Sequence, residues 1–327
     1  MLIYSYCIIG REESAIYNGG IMLDDMNVIA QRDTQGLLEA AKHIPDRLMR
    51  VYDVPAAPSN IVLQTIVVWG DAAAIPAKMM QVWPEISVPI IAVTGSHLPP
   101  YIGEHTLCIV AGAGDAVSDQ LRSRKAQVVE LSHDEMAMST TYATFRALVD
   151  VCIAYTLADV KILNELESAV ASLKKVIASL QKTTTTDANP AKQIALQLVG
   201  KTTVIYSGPA MMSAAHAWKR SINAYAKNTA WCGELPAQGT TEYAGWTSHP
   251  IEKPFAVVDL VSSFEHDQVL EQFVQTDRAL SGRRPKAVSV HAAGDSTMEH
   301  VLFLMLLGEF TSLYLSILNG VDPSSKS

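Results

Sequence analysis

A chain of 327 residues is too long for one compact core and divides most readily into two domains of about 150 residues each. With 49% hydrophobic and 18% charged residues it can fill two cores, which excludes a disordered chain. Its formal net charge of −8 argues against a broad nucleic-acid surface, because phosphate backbones demand clustered Lys and Arg.

Residues 1–10 are apolar, but Arg11, Glu12 and Glu13 follow at once and no charged n-region precedes them. The run is too short to span a membrane, and without a charged n-region it reads as a first strand more than as a signal. Short β-branched runs at Ile61–Trp69, Val88–Val93, Thr106–Ala111 and Ala126–Leu131 predict four successive strands, with helices at Ala72–Val82 and Ala116–Lys125 between them. Helical periodicity is sustained from Thr141 to Lys182 and stops at the polar, breaker-containing stretch Thr183–Pro190, which reads as a linker.

Beyond it the alternation resumes. Lys201–Tyr206, Phe255–Val261 and Lys286–His291 predict strands, and Ala210–Lys227 and Asp267–Leu280 predict helices. Val301–Leu307 is strongly apolar, yet Glu299, His300 and Glu309 bracket it too closely for a membrane span, so a buried helix is expected. Alternating strands and helices are the pattern of doubly wound parallel sheets covered on both faces. The expected organisation is α/β throughout: one domain over 1–155, a helical linker over 156–190 and a second domain over 191–327.

The four cysteines, Cys7, Cys108, Cys152 and Cys232, are far apart and form no C-x-x-C pair, which favours free thiols and a reducing, cytoplasmic compartment. No H-E-x-x-H, G-x-S-x-G or Walker-type loop is present. His133-Asp134-Glu135 and Glu265-His266-Asp267 read as solvated charge clusters, so neither a metal nor a cofactor is expected. Gly112-Ala113-Gly114 imitates part of a dinucleotide fingerprint, but Val117 stands where the third glycine belongs, and a tight turn explains both glycines.

Two loops follow strands in positions where helix N-termini offer N–H groups to anions: Trp69-Gly70-Asp71-Ala72-Ala73 and Ala111-Gly112-Ala113-Gly114-Asp115-Ala116. Further along come Trp218-Lys219-Arg220-Ser221-Ile222-Asn223-Ala224-Tyr225-Ala226-Lys227, then Leu235-Pro236 through Gly239-Thr240-Thr241-Glu242 to Gly245-Trp246, then Tyr314-Leu315 and Gly320-Val321-Asp322-Pro323. On the helix, Trp218, Ile222 and Tyr225 form an apolar stripe, and Lys219, Asn223 and Lys227 repeat on another face.

In this order these segments resemble the signature of the bifunctional phosphoglucose/phosphomannose isomerases, a family built of two sugar-isomerase (SIS) domains. The resemblance covers nearly the whole chain and is strongest over 218–246 and 308–323. It implies two flavodoxin-like SIS domains, aldose–ketose isomerisation of hexose 6-phosphates, and a homodimer whose active site draws on both subunits. It places a sugar phosphate on Gly70, Ala73, Gly114, Asp115 and Ala116, with Lys219 and Lys227 lining or supporting the cleft.

The resemblance also aligns the family's general-base Glu with Ala224 and its ring-opening His with Thr240. A methyl group cannot carry a proton between carbons, and a Thr hydroxyl does not titrate near neutral pH. Glu242 is the carboxylate that survives in the motif and is the candidate substitute. Phosphate-binding hydroxyls of the family become Ala73, Ala111, Ala113 and Ala116. The expectation is therefore a member impaired in isomerisation; the alternative is a non-catalytic regulator that binds a sugar phosphate or nucleotide sugar.

Overall fold

The structure is a computed structural model that describes residues 20–52, 54, 62–70, 73–83, 86–111, 115–131, 137–237, 241–247 and 254–325. After helical residues 20–24 come three short helices, α1 (Met26–Arg32), α2 (Leu37–Ala41) and α3 (Ile44–Met49). There follow β1 (Thr65–Trp69), α4 (Ala74–Met80), β2 (Ile90–Val93), β3 (Thr106–Ala111), α5 (Asp115–Ser123), β4 (Gln127–Leu131), α6 (Ala137–Ala154) and α7 (Lys161–Leu180). The remainder is α8 (Pro190–Leu198), β5 (Thr202–Ser207), α9 (Met212–Ala224), β6 (Ala230–Glu234), α10 (Thr241–Thr247), β7 (Phe255–Val261), α11 (Asp267–Ala279), β8 (Val288–His291) and α12 (Thr297–Asn319).

These elements form two compact units. One is His43–Val170, and the other joins the described parts of Met1–Lys42 and Ala171–Ser327. Each unit holds a four-stranded parallel sheet, in the orders β2-β1-β3-β4 and β6-β5-β7-β8. Strand β3, Thr-Leu-Cys-Ile-Val-Ala, is buried along its whole length, as a strand covered on both faces must be. Cys108 and Cys152 are buried free thiols, as expected, and burial pushes both up to about 12.

In the larger unit, α12 forms the centre of the core. Ser296 caps it by accepting the Glu299 N–H at 3.2 Å, and Gly320 ends it in the left-handed region at φ 71°. By length and composition α12 could cross a membrane, but 94% of its apolar window is buried within the protein. Trp218 of α9 lies against it and donates its indole N–H to the Leu304 carbonyl at 2.7 Å.

The structure departs from the sequence expectations in four places. Strand β6 is not among the expected strands, since Cys232, Gly233 and Glu234 make no apolar run and Trp231 is exposed; pairing with β5, such as Ile205 against Cys232, defines it. The long helical run splits into α6 and α7 around Thr156, whose φ of 57° no helix accommodates.

Thr183–Pro190 is an ordered cap in place of a free linker. Asn189 accepts the N–H groups of Ala191 and Lys192, and Lys192 Nζ binds Asp24 and the carbonyls of Lys182 and Thr184 at 2.8–3.0 Å. The expected division at 1–155, 156–190 and 191–327 also differs from the compact units, which divide between residues 42 and 43 and again within α7. Residues 20–42 pack with the C-terminal part because Asp24 meets Lys192, Arg32 meets the Ile317 carbonyl and Thr34 meets Asp322. The strand expected over residues 1–10 lies outside the described residues.

Candidate functional site

In each sheet the strand order reverses beside the first strand, between β1 and β3 and between β5 and β7. Such switch points open a crevice at the carboxyl ends of the strands, where ligands of α/β folds gather. In the His43–Val170 unit, Gly70 forms one wall. Its φ is 137°, and a Cβ added there would lie 2.0 Å from the Ala111 carbonyl oxygen, so only glycine closes this turn.

The Gly70 N–H donates to the Val93 carbonyl at 3.0 Å, and its own carbonyl accepts from Ala73 at 3.0 Å. The amide is thus already paired. The Ala73 methyl is fully buried under the turn, while Ala116, on the first turn of α5, is exposed. Gly114 and the Asp115 side chain lie outside the described residues.

Helix α9 carries the second group of expected site residues. Trp218, Ile222 and Tyr225 form the buried stripe. The polar row divides its work: Lys219 is half-buried, and Asn223 accepts the Ala230 N–H at 2.9 Å, which starts β6 in register. Lys227, at φ 50°, gives its ammonium to the carbonyls of Ala224 at 2.6 Å and Ser325 at 2.7 Å, tying the helix end to the C-terminal segment.

Ala224 is exposed on the last turn of α9. That helix descends from the carboxyl end of β5 to the amino end of β6. Ala224 and the start of α10, with Glu242, therefore stand at opposite ends of one sheet, separated by the length of a 13-residue helix, about 20 Å. Thr240 lies outside the described residues.

Glu242 is half-buried and accepts from the Tyr206 phenol, whose oxygen also receives the Trp246 indole N–H at 3.0 Å. Burial, and then the Glu242 carboxylate, push the Tyr206 phenol well above its ordinary range, so it stays a donor. Across the sheet Tyr206 pairs with Asp259, and Arg284 lies over the Tyr206 ring at 5.9 Å while reaching Asp277 at 3.2 Å. Glu242 is thus held at the edge of a buried polar network.

The switch point of the larger unit holds a residue whose sequence context reads only as solvated charge. Glu265 is in fact 7% exposed and accepts the N–H groups of Met211 at 3.1 Å and Ala210 at 3.4 Å, just ahead of α9. Burial raises its pKa against those two amides, and Glu234 adds to the rise. It fills the place where a helix N-terminus would receive an anion. Its sequence neighbours do something else: His266 caps α11 by accepting the Gln268 N–H at 3.3 Å, and Asp267 opens that helix.

Beside it, Ser262 Oγ lies 2.8 Å from His300 Nδ1 and His300 Nε2 lies 3.2 Å from the Gly294 carbonyl; burial lowers the His300 pKa and keeps the ring neutral. Among the described residues no three His, Cys, Asp or Glu side chains are grouped to hold a metal ion.

Two parallel sheets of this order, each with its crevice at the switch point, define a doubly wound α/β protein. Residues 187–327 match the family described as the bacterial phospho-glucose isomerase C-terminal SIS domain. It is similar to the bifunctional phosphoglucose/phosphomannose isomerase of Aquifex aeolicus (strain VF5), 28% identical over 160 residues. That match takes in 49% of this chain and 48% of the relative, about half the length of each.

Among solved structures, a glucose-6-phosphate isomerase like protein from Thermus thermophilus superposes with a TM-score of 0.63 at 20% identity, over 92% of this chain and 94% of that one. Tagatose-6-phosphate ketose/aldose isomerase from Escherichia coli gives 0.55 at 12% identity, over 98% and 97%. At these identities the likeness is one of fold.

Proposed function

We propose that this chain is a sugar-phosphate-binding SIS protein impaired in the aldose–ketose isomerisation of hexose 6-phosphates. The observation that carries this reading is Ala224: the position aligned with the family's general base is an exposed methyl at the end of α9. The enediol route needs a carboxylate to move a proton between C2 and C1, and a positioned acid or base contributes about 10²–10⁴-fold. Glu242, the candidate substitute, is paired with the Tyr206 phenol about 20 Å along the unit from Ala224.

That separation also supports a homodimer. A hexose phosphate is far shorter than α9, so one molecule cannot touch both ends of the sheet within a protomer. A site using both ends needs a second copy, as in the resembling family. The phosphate end of the reading rests on the loops after β1 and β3, where alanines replace hydroxyls. Each lost hydrogen bond to a charged group weakens binding by about 1.5–3 kcal/mol, so affinity for the phosphate is low.

A coupled assay of fructose 6-phosphate interconversion, run beside thermal unfolding with and without that sugar phosphate, tests the reading. Stabilisation without turnover is expected. Turnover in the ordinary range for enzymes, about 1–10³ per second, would overturn it and point to a displaced catalytic set. Neither turnover nor stabilisation would remove the sugar phosphate as ligand.

A further inference from the structure

The two units share one plan, a crevice beside the first strand of a four-stranded parallel sheet, but the glycine that follows that strand does different work in each. Gly70, after β1, lies at φ 137°, where the main chain itself calls for glycine. Gly208, after β5, lies at φ −78°, which any residue adopts. What forbids a side chain there is the Glu265 carboxylate: an added Cβ would stand 2.3 Å from its carbon and 2.5 Å from each of its oxygens. The chain leaves room at this point for an anion.

Two amides complete the cradle, one to each oxygen: Met211 donates to Oε1 at 3.1 Å and Ala210 to Oε2 at 3.4 Å. The loop that brings the carboxylate is itself fastened. The Glu265 N–H donates to the Ser262 carbonyl at 3.2 Å, the Phe264 N–H donates to Ser262 Oγ at 3.1 Å, and that oxygen is held by His300 Nδ1 at 2.8 Å. A side-chain gap and two convergent N–H groups ahead of a 13-residue helix are what a bound phosphate uses, and here the chain supplies the oxyanion itself. A tethered anion competes at an effective concentration of about millimolar or more, so a dilute free anion does not displace it.

We propose that Glu265 is an internal anion that closes the larger unit's switch point to phosphate. The two crevices of one chain then differ in kind: the larger unit's is filled by its own carboxylate, and the charged end of a ligand is left to the loops of the smaller unit. The sugar-phosphate reading above supplies the ligand's identity; the closure applies to any oxyanion, because Glu265 takes both the donors and the space that one needs.

Inorganic phosphate, titrated at constant ionic strength into the full chain while the amide signals of Ala210 and Met211 are followed, tests this. No saturable shift is expected in the wild type. Glu265→Ala frees the donors and the space, so phosphate should bind at these amides more tightly than in the wild type by about ten-fold or more, and acetate, the lost carboxylate in free form, should compete for the same place. Glu265→Gln separates charge from space: its side-chain oxygen still fills the cradle, and phosphate should bind as weakly as in the wild type. Glu265→Ser opens the same space and stands in if the alanine variant does not fold. Saturable phosphate shifts in the wild type, none in a folded alanine or serine variant, or equal binding by the alanine and glutamine variants would overturn the proposal. Absence of fructose 6-phosphate binding in the wild type would instead sink the sugar-phosphate reading and leave the closure standing.

Discussion

Gly208 and Glu265 fit so closely that a methyl group on Gly208 would stand 2.3 Å from the Glu265 carboxyl carbon. The fit explains how a charged side chain can occupy the switch point of the larger unit: the chain ahead of α9 has no side chain there, and its next amides face the carboxylate. Gly208→Ala must displace Glu265 and leave two helix N-terminal amides unpaired. A loss of about 1–3 kcal/mol is expected in urea unfolding. Glu265→Ala removes the obstruction, so the same Gly208→Ala change should cost much less in that background. Additive costs would show that the two residues do not meet.

Trp218 and Gly308 give a prediction in which two effects oppose. Glycine inside a helix is destabilising by about 1 kcal/mol relative to alanine, so propensity alone makes Gly308→Ala stabilising. An added Cβ, however, would lie 2.5 Å from the Trp218 ring, which is itself anchored to the Leu304 carbonyl. The ring cannot retreat without losing that bond, and overpacking costs about 1–3 kcal/mol. Packing wins, and the urea midpoint should fall. A rise would mean that α9 and α12 are less closely packed.

Glu309 provides a pH dependence with a defined sign. It is buried on α12, its Oε2 has no partner, and burial raises its pKa to about 7 despite Arg220 and a hydrogen bond from Ser221. A carboxyl whose folded pKa lies above its unfolded value holds its proton more tightly when folded, so stability is lost as pH rises from about 4.5 to about 7. Glu309→Gln keeps the shape without the charge. Relative to wild type it should be level below pH 4.5 and gain on the order of 3 kcal/mol by neutrality. Comparing the two proteins cancels the other titrating groups, and a difference that does not vary with pH would rule this account out.

Where the sequence could be read, local pattern and tertiary demand agreed. Strand β3 is apolar at nearly every position because both its faces are covered, and Trp218, Ile222 and Tyr225 repeat at helical spacing because one stripe meets the core. Strand β6 could not be found, since an edge strand with Gly233 and Glu234 owes its existence to pairing with β5. Glu265 was equally hidden: His266 and Asp267 beside it do the work of a helix start, and the glycine that admits it stands 57 positions earlier in the chain. The grouping of residues 20–42 with the C-terminal half depends on contacts such as Asp24 with Lys192, 168 positions apart, which no local periodicity records. Legible positions were those whose neighbours in sequence are also their neighbours in space.

Ala224 stands at the position aligned with the general base of the resembling family. Ala224 is exposed, so Ala224→Glu adds no buried volume and should change stability by about 0.5 kcal/mol or less. A carboxylate near a helix C-terminus is disfavoured by about 0.3–1 kcal/mol, but the Lys227 ammonium, which already bonds the Ala224 carbonyl, offsets this. Alone the new carboxylate lacks a partner to open the sugar ring. Ala224→Glu combined with Thr240→His restores both roles at the aligned positions. With each acid–base group contributing about 10²–10⁴-fold when positioned, the double variant should exceed the wild-type rate of fructose 6-phosphate interconversion by at least ten-fold, even with imperfect geometry. Because Ala224 and the start of α10 lie at opposite ends of one sheet, the proposed homodimer predicts that mixing the two single variants recovers part of the gain, through pairs carrying one change in each subunit. No gain in the double variant, in a protein that still folds and is still stabilised by fructose 6-phosphate, would show that Ala224 does not stand at the reacting carbon.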